Sequence, residues 1–184
     1  MVVVRTGDTG DLSAIISKRR NKLLVFQGYK ALILRLLFLM IAGMILFTQI
    51  FLVTQTSGND MFPAVKDGDL VIAFRLQQDY SKNDVVVYTV DAKQYIGRVA
   101  ARAGDVVTLD DSGSMLVNGT TQTGEIMYPT YALEGLEYPY EVPENYLFIL
   151  GDYRTQAVDS RTFGAVPLDD VEGKVITILR RRGL

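Results

Sequence analysis

The sequence predicts a mainly β domain that follows a single N-terminal transmembrane helix. Two observations support this prediction. Residues 36–53 form an uninterrupted run of eighteen residues without a charge, and beyond residue 54 the apolar residues fall into short runs rich in Val, Ile, Leu and Tyr. With 184 residues, the chain has room for one globular domain and an appendage, at roughly 100–200 residues per domain.

The uncharged run is long enough to cross a membrane. With the apolar residues 31–34 before it, it reaches the roughly 20 residues that a helix needs to span about 30 Å of hydrocarbon. The run is apolar on every face, which favours a membrane span over the buried helix of a soluble core. About thirty residues precede it, which is typical of an uncleaved anchor rather than a cleaved secretory signal. We therefore predict a transmembrane anchor at residues 31–53.

The charges are distributed unevenly along the chain. Residues 1–59 carry seven Lys or Arg and two Asp, a net charge of +5, whereas residues 60–184 carry twelve Lys or Arg and nineteen acids, a net charge of −7. By the positive-inside rule, residues 1–30 are predicted to be cytoplasmic and residues 54–184 to form an extracytoplasmic domain. The basic segment is expected to meet membrane lipid, and the acidic domain argues against binding of nucleic acid.

Seven runs after residue 54 predict strands, because each is apolar or β-branched and is bounded by Gly, Asp, Asn or Pro. The residues at 111–114 predict a hairpin connection between the fourth and fifth runs. No segment of this part shows a sustained helical period, and residues 119–145 are the least regular. The predicted strands are residues 70–74, 85–90, 95–99, 106–109, 115–117, 146–150 and 175–179.

The chain contains no His and no Cys. These absences exclude an imidazole base, a thiolate nucleophile, disulfides and the usual zinc and iron–sulfur ligand sets. The residues left for chemistry are Ser, Thr, Tyr, Lys, Arg and the carboxylates. We find no sequence sign of a metal site or an organic cofactor, and we predict neither.

Three segments concentrate residues that suit a functional site. Residues 57–71 form a loop in which Gly58 permits an unusual backbone conformation and Pro63 restricts the following turn. The second segment is Tyr-Ile-Gly-Arg-Val at residues 95–99, and the third is the polar, Gly-bounded loop at residues 151–164. In the third loop we expect a network of ion pairs and hydrogen bonds among Asp152, Arg154, Asp159, Ser160 and Arg161.

With the anchor, these segments resemble type I signal peptidases, the membrane-anchored serine proteases that remove secretory signals. Residues 57–65 resemble the family segment Ser-Gly-x-Ser-Met-x-Pro-Thr-Leu, and residues 83–105 resemble a stretch that ends in Tyr-x-Lys-Arg-Val and a later Gly-Asp. Residues 142–164 resemble the family's Val-Pro segment and its Gly-Asp-Asn and Asp-Ser-Arg-x-Phe-Gly motifs. The resemblance implies the family's domain of coiled antiparallel β-sheets.

The sequence departs from the family at three positions that share one proton relay. In the family, a Ser hydroxyl attacks the peptide carbonyl and a neutral Lys amine takes its proton, a pair that needs no His. Asp60 stands at the position of that Ser, Gly97 at the position of the Lys, and Ala157 at the position of a second Ser that supports the Lys. The resemblance therefore implies a degenerate member without the Ser/Lys dyad.

The peptide-binding cleft of the family does not depend on the dyad, because the substrate is held as an extended strand added to a sheet edge. We expect Met61 and Phe62 to present exposed apolar surface beside the cleft, and Arg98 to neutralise Asp60. We expect Asp159, Ser160 and Arg161 to support the fold. The candidate peptide-binding residues are Gly58, Asp60, Met61, Phe62, Pro63 and Gly97.

The chain is also similar to signal-peptidase-like proteins encoded with pilins and sortases in Gram-positive bacteria, which act as accessory or chaperone factors in pilus assembly. This resemblance implies a catalytically inactive membrane protein that binds an exported polypeptide, with a pilin as the implied partner and sortase as a further contact. Two alternatives remain open. The chain could be an active signal peptidase with an unorthodox site, or a protein that modulates a genuine signal peptidase by pairing with it.

Overall fold

The computed structural model describes residues 9–122 and 128–180. The chain divides into two compact units, residues 1–47 and 48–184. A long helix, α1 (Thr9–Ile50), makes up the described part of the first unit and ends within the second. The second unit continues with β1 (Phe51–Gln55), β2 (Leu70–Phe74), β3 (Val85–Val90), β4 (Lys93–Arg102), β5 (Val106–Leu109), β6 (Met115–Val117), β7 (Thr120–Thr121), β8 (Tyr140–Glu141), β9 (Tyr146–Leu150), α2 (Ser160–Phe163), β10 (Val166–Pro167) and β11 (Val171–Leu179).

The helix α1 contains most of the predicted anchor, and from Ile16 to Ile50 it is long and apolar enough to cross a membrane. It is continuous across residues 30 and 31, where the predicted cytoplasmic segment meets the predicted anchor. The helix ends at Ile50, so residues 51–53 of the predicted anchor belong to β1. These residues are strand because their backbone groups pair with β2, with Phe51 opposite Phe74. Residues 1–8 of the predicted cytoplasmic segment lie outside the part of the chain that the structure describes.

The second unit is built from two antiparallel sheets, and the predicted mainly β architecture is confirmed. One sheet has seven strands in the order β1-β2-β11-β3-β4-β9-β10, and the other has four in the order β7-β6-β5-β8. All seven predicted strands are present, and β4 and β11 extend beyond their predicted bounds. The predicted hairpin joins β5 to β6, with Leu109 opposite Met115.

Among the residues that the structure describes, three clusters of buried side chains form the core. Because successive side chains on a strand point to opposite faces, β9 contributes to two of them. Leu147 and Ile149 pack with Tyr88 and Val99 in the first cluster. Phe148 and Leu150 pack in the second, with side chains of the four-stranded sheet such as Val107 and Val117. The third cluster lies beneath the loop after β1 and contains Met61, Val65, Val71, Ala73 and Val87.

Asp105 holds the turn between β4 and β5. One of its carboxylate oxygens accepts a hydrogen bond from the Arg102 N–H at 2.9 Å and lies 3.3 Å from Lys82 Nζ. The other oxygen accepts from the Asn118 side-chain amide at 2.7 Å, which ties the turn to the end of β6. Burial alone would raise the pKa of Asp105, but these hydrogen bonds and Lys82 outweigh it and lower the pKa from its ordinary value of 3.8.

We predict that Asp105→Asn lowers the melting temperature at neutral pH and makes it less sensitive to acid. Since the pKa of Asp105 is lower in the folded state, its stabilising effect is fully present above the unfolded-state pKa and is lost as the pH falls through the folded-state pKa. Thermal melts of the full chain in non-ionic detergent, followed by circular dichroism between about pH 6 and about pH 2, measure this difference. The exposed Asp111 provides the control Asp111→Asn. Identical acid profiles for Asp105→Asn and the unmodified chain would contradict the role of this carboxylate.

Candidate peptide-binding site

The three positions at which the resemblance implies a missing proton relay lie close together around the end of β9. Gly97 is on β4, where an added Cβ atom would stand 3.2 Å from the carbonyl oxygen of Leu150. Gly151, which follows Leu150, lies against both of the other positions. A Cβ atom added at Gly151 would clash with the Cβ of Ala157 and would lie 2.6 Å from the carbonyl oxygen of Asp60. The fold therefore brings Asp60, Gly97 and Ala157 to one place, although they are far apart in sequence.

Asp60 is anchored by its backbone and presents a half-buried carboxylate. Its carbonyl oxygen accepts a hydrogen bond from the Tyr153 N–H at 2.9 Å. Burial raises the pKa of the Asp60 carboxyl above its ordinary value; Lys93 opposes this shift and the negative charge of Asp159 adds to it. A carboxyl group with a raised pKa beside a cleft is a common mark of a functional site.

Gly97 has no space for a side chain. The residue is buried in β4, and an added Cβ atom would lie 2.6 Å from Ile149 Cγ2 and 3.2 Å from Tyr88 Cε1. Both neighbours belong to the first core cluster and are almost completely buried, so neither can move without disturbing the packing. The sequence shows only that a lysine is absent here. The structure adds that the core occupies the space where its side chain would begin.

Arg98 does not form the ion pair that we expected with Asp60. Its guanidinium instead binds the Asp152 carboxylate through two hydrogen bonds, at 2.8 Å from Nε and 2.7 Å from Nη2, and it also donates to the Asn83 carbonyl oxygen at 3.0 Å. The antiparallel register explains this choice, because Arg98 lies opposite Leu150 and Asp152 follows two residues later. A two-point contact between a guanidinium and a carboxylate is among the stronger polar contacts in proteins.

A buried carboxylate organises the loop at residues 151–164. Asp159 accepts hydrogen bonds from Arg161 Nε and Nη2, both at 2.8 Å, and both side chains are about 1% exposed. Asp159 also accepts from the Gly151 N–H at 3.0 Å and from the Arg161 N–H at 3.1 Å, and the latter bond caps α2. Ser160 accepts from the Ile149 N–H at 2.9 Å. Through these contacts the loop is held against β9.

Met61 is not exposed, contrary to our expectation. The turn after Asp60 folds back so that the Val65 N–H donates to the Met61 carbonyl oxygen at 2.9 Å. This turn directs the Met61 side chain into the third core cluster, where it is 3% exposed, and burial of its apolar surface favours that position. Phe62 is exposed, as expected, and its ring centre lies 6.1 Å from that of Tyr153.

A small cleft lies between the loop after β1 and the start of β4. Its cavity volume is about 40 Å³. Beside it, Thr54 on β1 donates a hydrogen bond to Gln94 on β4 at 2.6 Å. Three predicted peptide-binding residues (Gly58, Asp60 and Met61) line the cleft, whereas Phe62, Pro63 and Gly97 do not. The lining residues are Gln55, Thr56, Ser57, Gly58, Asp60, Met61, Val65, Gln94, Tyr95 and Ile96.

Comparison with known proteins places the chain in a family. The family described as "Signal peptidase, peptidase S26" matches residues 29–179. Because this match covers more than half of the chain, the protein belongs to the signal peptidase family. The resemblance identified from the sequence motifs is thereby confirmed.

Several relatives are named as peptidases. The chain is 32% identical over 134 residues to a probable thylakoidal processing peptidase 2 of Arabidopsis thaliana, covering 64% of this chain and 35% of that protein. It therefore spans about a third of that relative's length. It is 27% identical over 158 residues to signal peptidase I of Bacillus licheniformis, covering 79% of this chain and 81% of that protein. Among solved structures, signal peptidase I of Enterococcus faecalis V583 is 26% identical, with a TM-score of 0.46, and covers 54% of this chain and 97% of that one.

We predict that Gly97→Ala destabilises the chain by about 1–3 kcal/mol, the usual cost of forcing an extra methyl group into a packed core. The free energy of unfolding can be followed by tyrosine circular dichroism in detergent, since the chain has ten Tyr and no Trp.

A double-mutant cycle with Ile149→Ala tests the cause of this destabilisation. Removal of the Ile149 methyl groups should make the loss of unfolding free energy caused by Gly97→Ala smaller than in the unmodified chain. Equal losses in the two backgrounds would show that Ile149 does not occupy the space beside position 97.

Proposed function

We propose that this chain is a member of the signal peptidase family that does not cleave peptide bonds and that binds an exported polypeptide in its cleft to assist pilus assembly. We further propose that α1 anchors it in the cell membrane, in contact with lipid, with the N-terminus in the cytoplasm and the β domain outside. Membership of the family and the apolar helix support a membrane protein that meets exported polypeptides.

The observation that carries the proposal of inactivity is the closure of Gly97 by Ile149 and Tyr88. The family's mechanism needs an amine at this position to take the proton of the nucleophile. Glycine supplies none, and the space where a lysine side chain would begin is occupied. Asp60 reinforces the argument, because a carboxylate is a poor nucleophile towards an amide and its charge would repel the developing oxyanion.

The proposal of peptide binding rests on what remains around these positions. A cleft lies between the loop after β1 and the start of β4, and Asp60 and Gly58 line it. The loop at residues 151–164 is held in place by Asp159 and Arg161, and neither interaction involves the lost dyad. Binding of an extended chain requires only backbone hydrogen bonds and shallow pockets, so it can persist without proton transfer.

Two other functions would use the same fold. An active peptidase with an unorthodox site agrees with the names of the relatives, and Asp60 would be its essential group. A modulator of a genuine signal peptidase would pair with that enzyme rather than with a pilin. Mild cross-linking in membranes followed by purification distinguishes the partners, because it recovers a pilin, a sortase or a peptidase.

We predict that the purified full chain in detergent does not release the signal peptide from a labelled preprotein, in a reaction that an active signal peptidase I completes. The physical reason is the missing proton acceptor at position 97. The matched variant Asp60→Ala shows whether any trace of release belongs to this chain. Release that Asp60→Ala abolishes would overturn the proposal of inactivity.

Reintroduction of the family's residues extends the same assay. The triple variant Asp60→Ser, Gly97→Lys, Ala157→Ser is expected to remain at least ~100-fold less active than the control enzyme, because a misplaced catalytic group loses about that factor. Addition of Ile149→Ala to the triple variant should increase its activity by opening the space beside position 97. Full activity of the triple variant alone would contradict the closure argument.

The pilus role is tested by deletion of the gene in its own bacterium. We predict loss of the pilus polymer with unchanged processing of secreted preproteins, since the proposed function is accessory and not hydrolytic. Re-expression of the Asp60→Ala variant then tests whether the cleft takes part. Accumulation of unprocessed preproteins after deletion would instead favour the peptidase or the modulator.

A further inference from the structure

The cleft beside Asp60 contains one charge. Of the ten residues that line it, Asp60 alone has a side chain that carries a charge at neutral pH, and the others are amides, hydroxyls, apolar side chains and glycine. With a cavity volume of about 40 Å³, the cleft has room for a small polar group, since about 10–15 Å³ of such volume holds one water molecule.

The other two carboxylates around the end of β9 have arginine partners, and Asp60 does not. Asp152 binds Arg98, and Asp159 binds Arg161, each through two hydrogen bonds. Among the side chains that the structure describes, the ion pairs within 4.0 Å do not include Asp60. Asp60 is therefore a half-buried acid that, among the described residues, forms no ion pair with an arginine.

A third arginine, Arg154 in the loop at residues 151–164, is directed elsewhere. Arg154 is buried and donates a hydrogen bond from Nη1 to Thr130 Oγ1 at 3.1 Å, with Met115 Sδ 3.9 Å away. The contacts of its side chain thus lie towards the four-stranded sheet. It is not among the charges that shift the pKa of Asp60.

Lys93 is the basic residue whose charge reaches Asp60, and it stands outside the cleft. Its Nζ lies 4.7 Å from the centre of the Tyr95 ring, a cation–π contact of a partly solvated amine. Its positive charge opposes the burial that raises the pKa of the Asp60 carboxyl, but burial outweighs it, and the negative charge of Asp159 acts in the same direction as burial. The positive charges of the chain itself therefore offset the negative charge of the Asp60 carboxylate only in part.

We propose that the cleft binds a primary ammonium group of the exported polypeptide, with the Asp60 carboxylate as its counter-ion. This inference rests on the proposed peptide-binding function and names the chemistry that the bound polypeptide carries. A lysine side chain and an N-terminal amine both present this group.

The absence of Cys from the chain allows a direct test that needs no peptide. Ser57 lines the cleft and is exposed, so Ser57→Cys introduces a single thiol there. The full chain in detergent is equilibrated with equal amounts of cysteamine and 2-mercaptoethanol and their disulfides, and the two protein adducts are counted by mass spectrometry. The two probes place an ammonium or a neutral hydroxyl at the same position, so the reactivity of the thiol affects both alike.

We expect the cysteamine adduct to be favoured about 1.5-fold to fivefold, as for one partly solvated ion pair. The added substitution Asp60→Asn should bring the ratio close to one, because it removes the charge and keeps the shape. The control Asp91→Asn alters an exposed acid in the turn between β3 and β4 and should leave the preference in place. Lys93→Gln should increase the preference, since it removes the competing internal cation.

A ratio near one with Asp60 intact, or a preference that survives Asp60→Asn, would overturn the inference and leave the proposed inactivity and peptide binding standing.

The source of the ammonium is then found with fluorescent peptides of about twelve residues built from Ala, Ser and Val. One arm compares a single Lys with Gln, and the other compares a free with an acetylated N-terminus. Binding that is equal in both arms contradicts the inference alone, whereas no binding of any peptide contradicts the proposed peptide-binding function as well.

Discussion

The arrangement of the site depends on the buried carboxylate of Asp159. It binds the Arg161 guanidinium and accepts the Gly151 N–H, so it fixes the point at which the chain leaves β9. Gly151 in turn lies against the Asp60 carbonyl oxygen and the Ala157 side chain. A buried charge is tolerated only when it is paired and fully hydrogen-bonded. The network that satisfies Asp159 therefore also helps to position the backbone of Asp60.

Most of the fold could be predicted from local sequence patterns. The seven predicted strands exist because runs such as residues 85–90 and 146–150 are apolar and bounded by turn residues. The missed strands β7, β8 and β10 have two residues each, too few to show a period. The first strand was missed for another reason. Residues 51–53 continue the apolar run of α1, and hydrophobicity alone does not distinguish a helix from a buried strand.

The candidate site was predictable in its positions and not in its contacts. Motif order located Asp60, Gly97 and Ala157, which the fold brings together. It could not show that Arg98 would prefer Asp152, because that choice follows from the register between β4 and β9. The burial of Met61, and the contribution of Gln94 and Tyr95 to the cleft, depend on how the loop folds back onto the sheet. No short-range pattern in the sequence records either fact.

The closed packing around Gly97 also bears on the evolution of the chain. A Gly97→Lys substitution would displace Ile149 and Tyr88 before it could offer an amine to any nucleophile. Such an intermediate would be less stable, so selection would remove it unless a smaller residue had already appeared at position 149. For the inactive member of the family that we propose, these well-packed neighbours would make a return to hydrolysis harder than its loss.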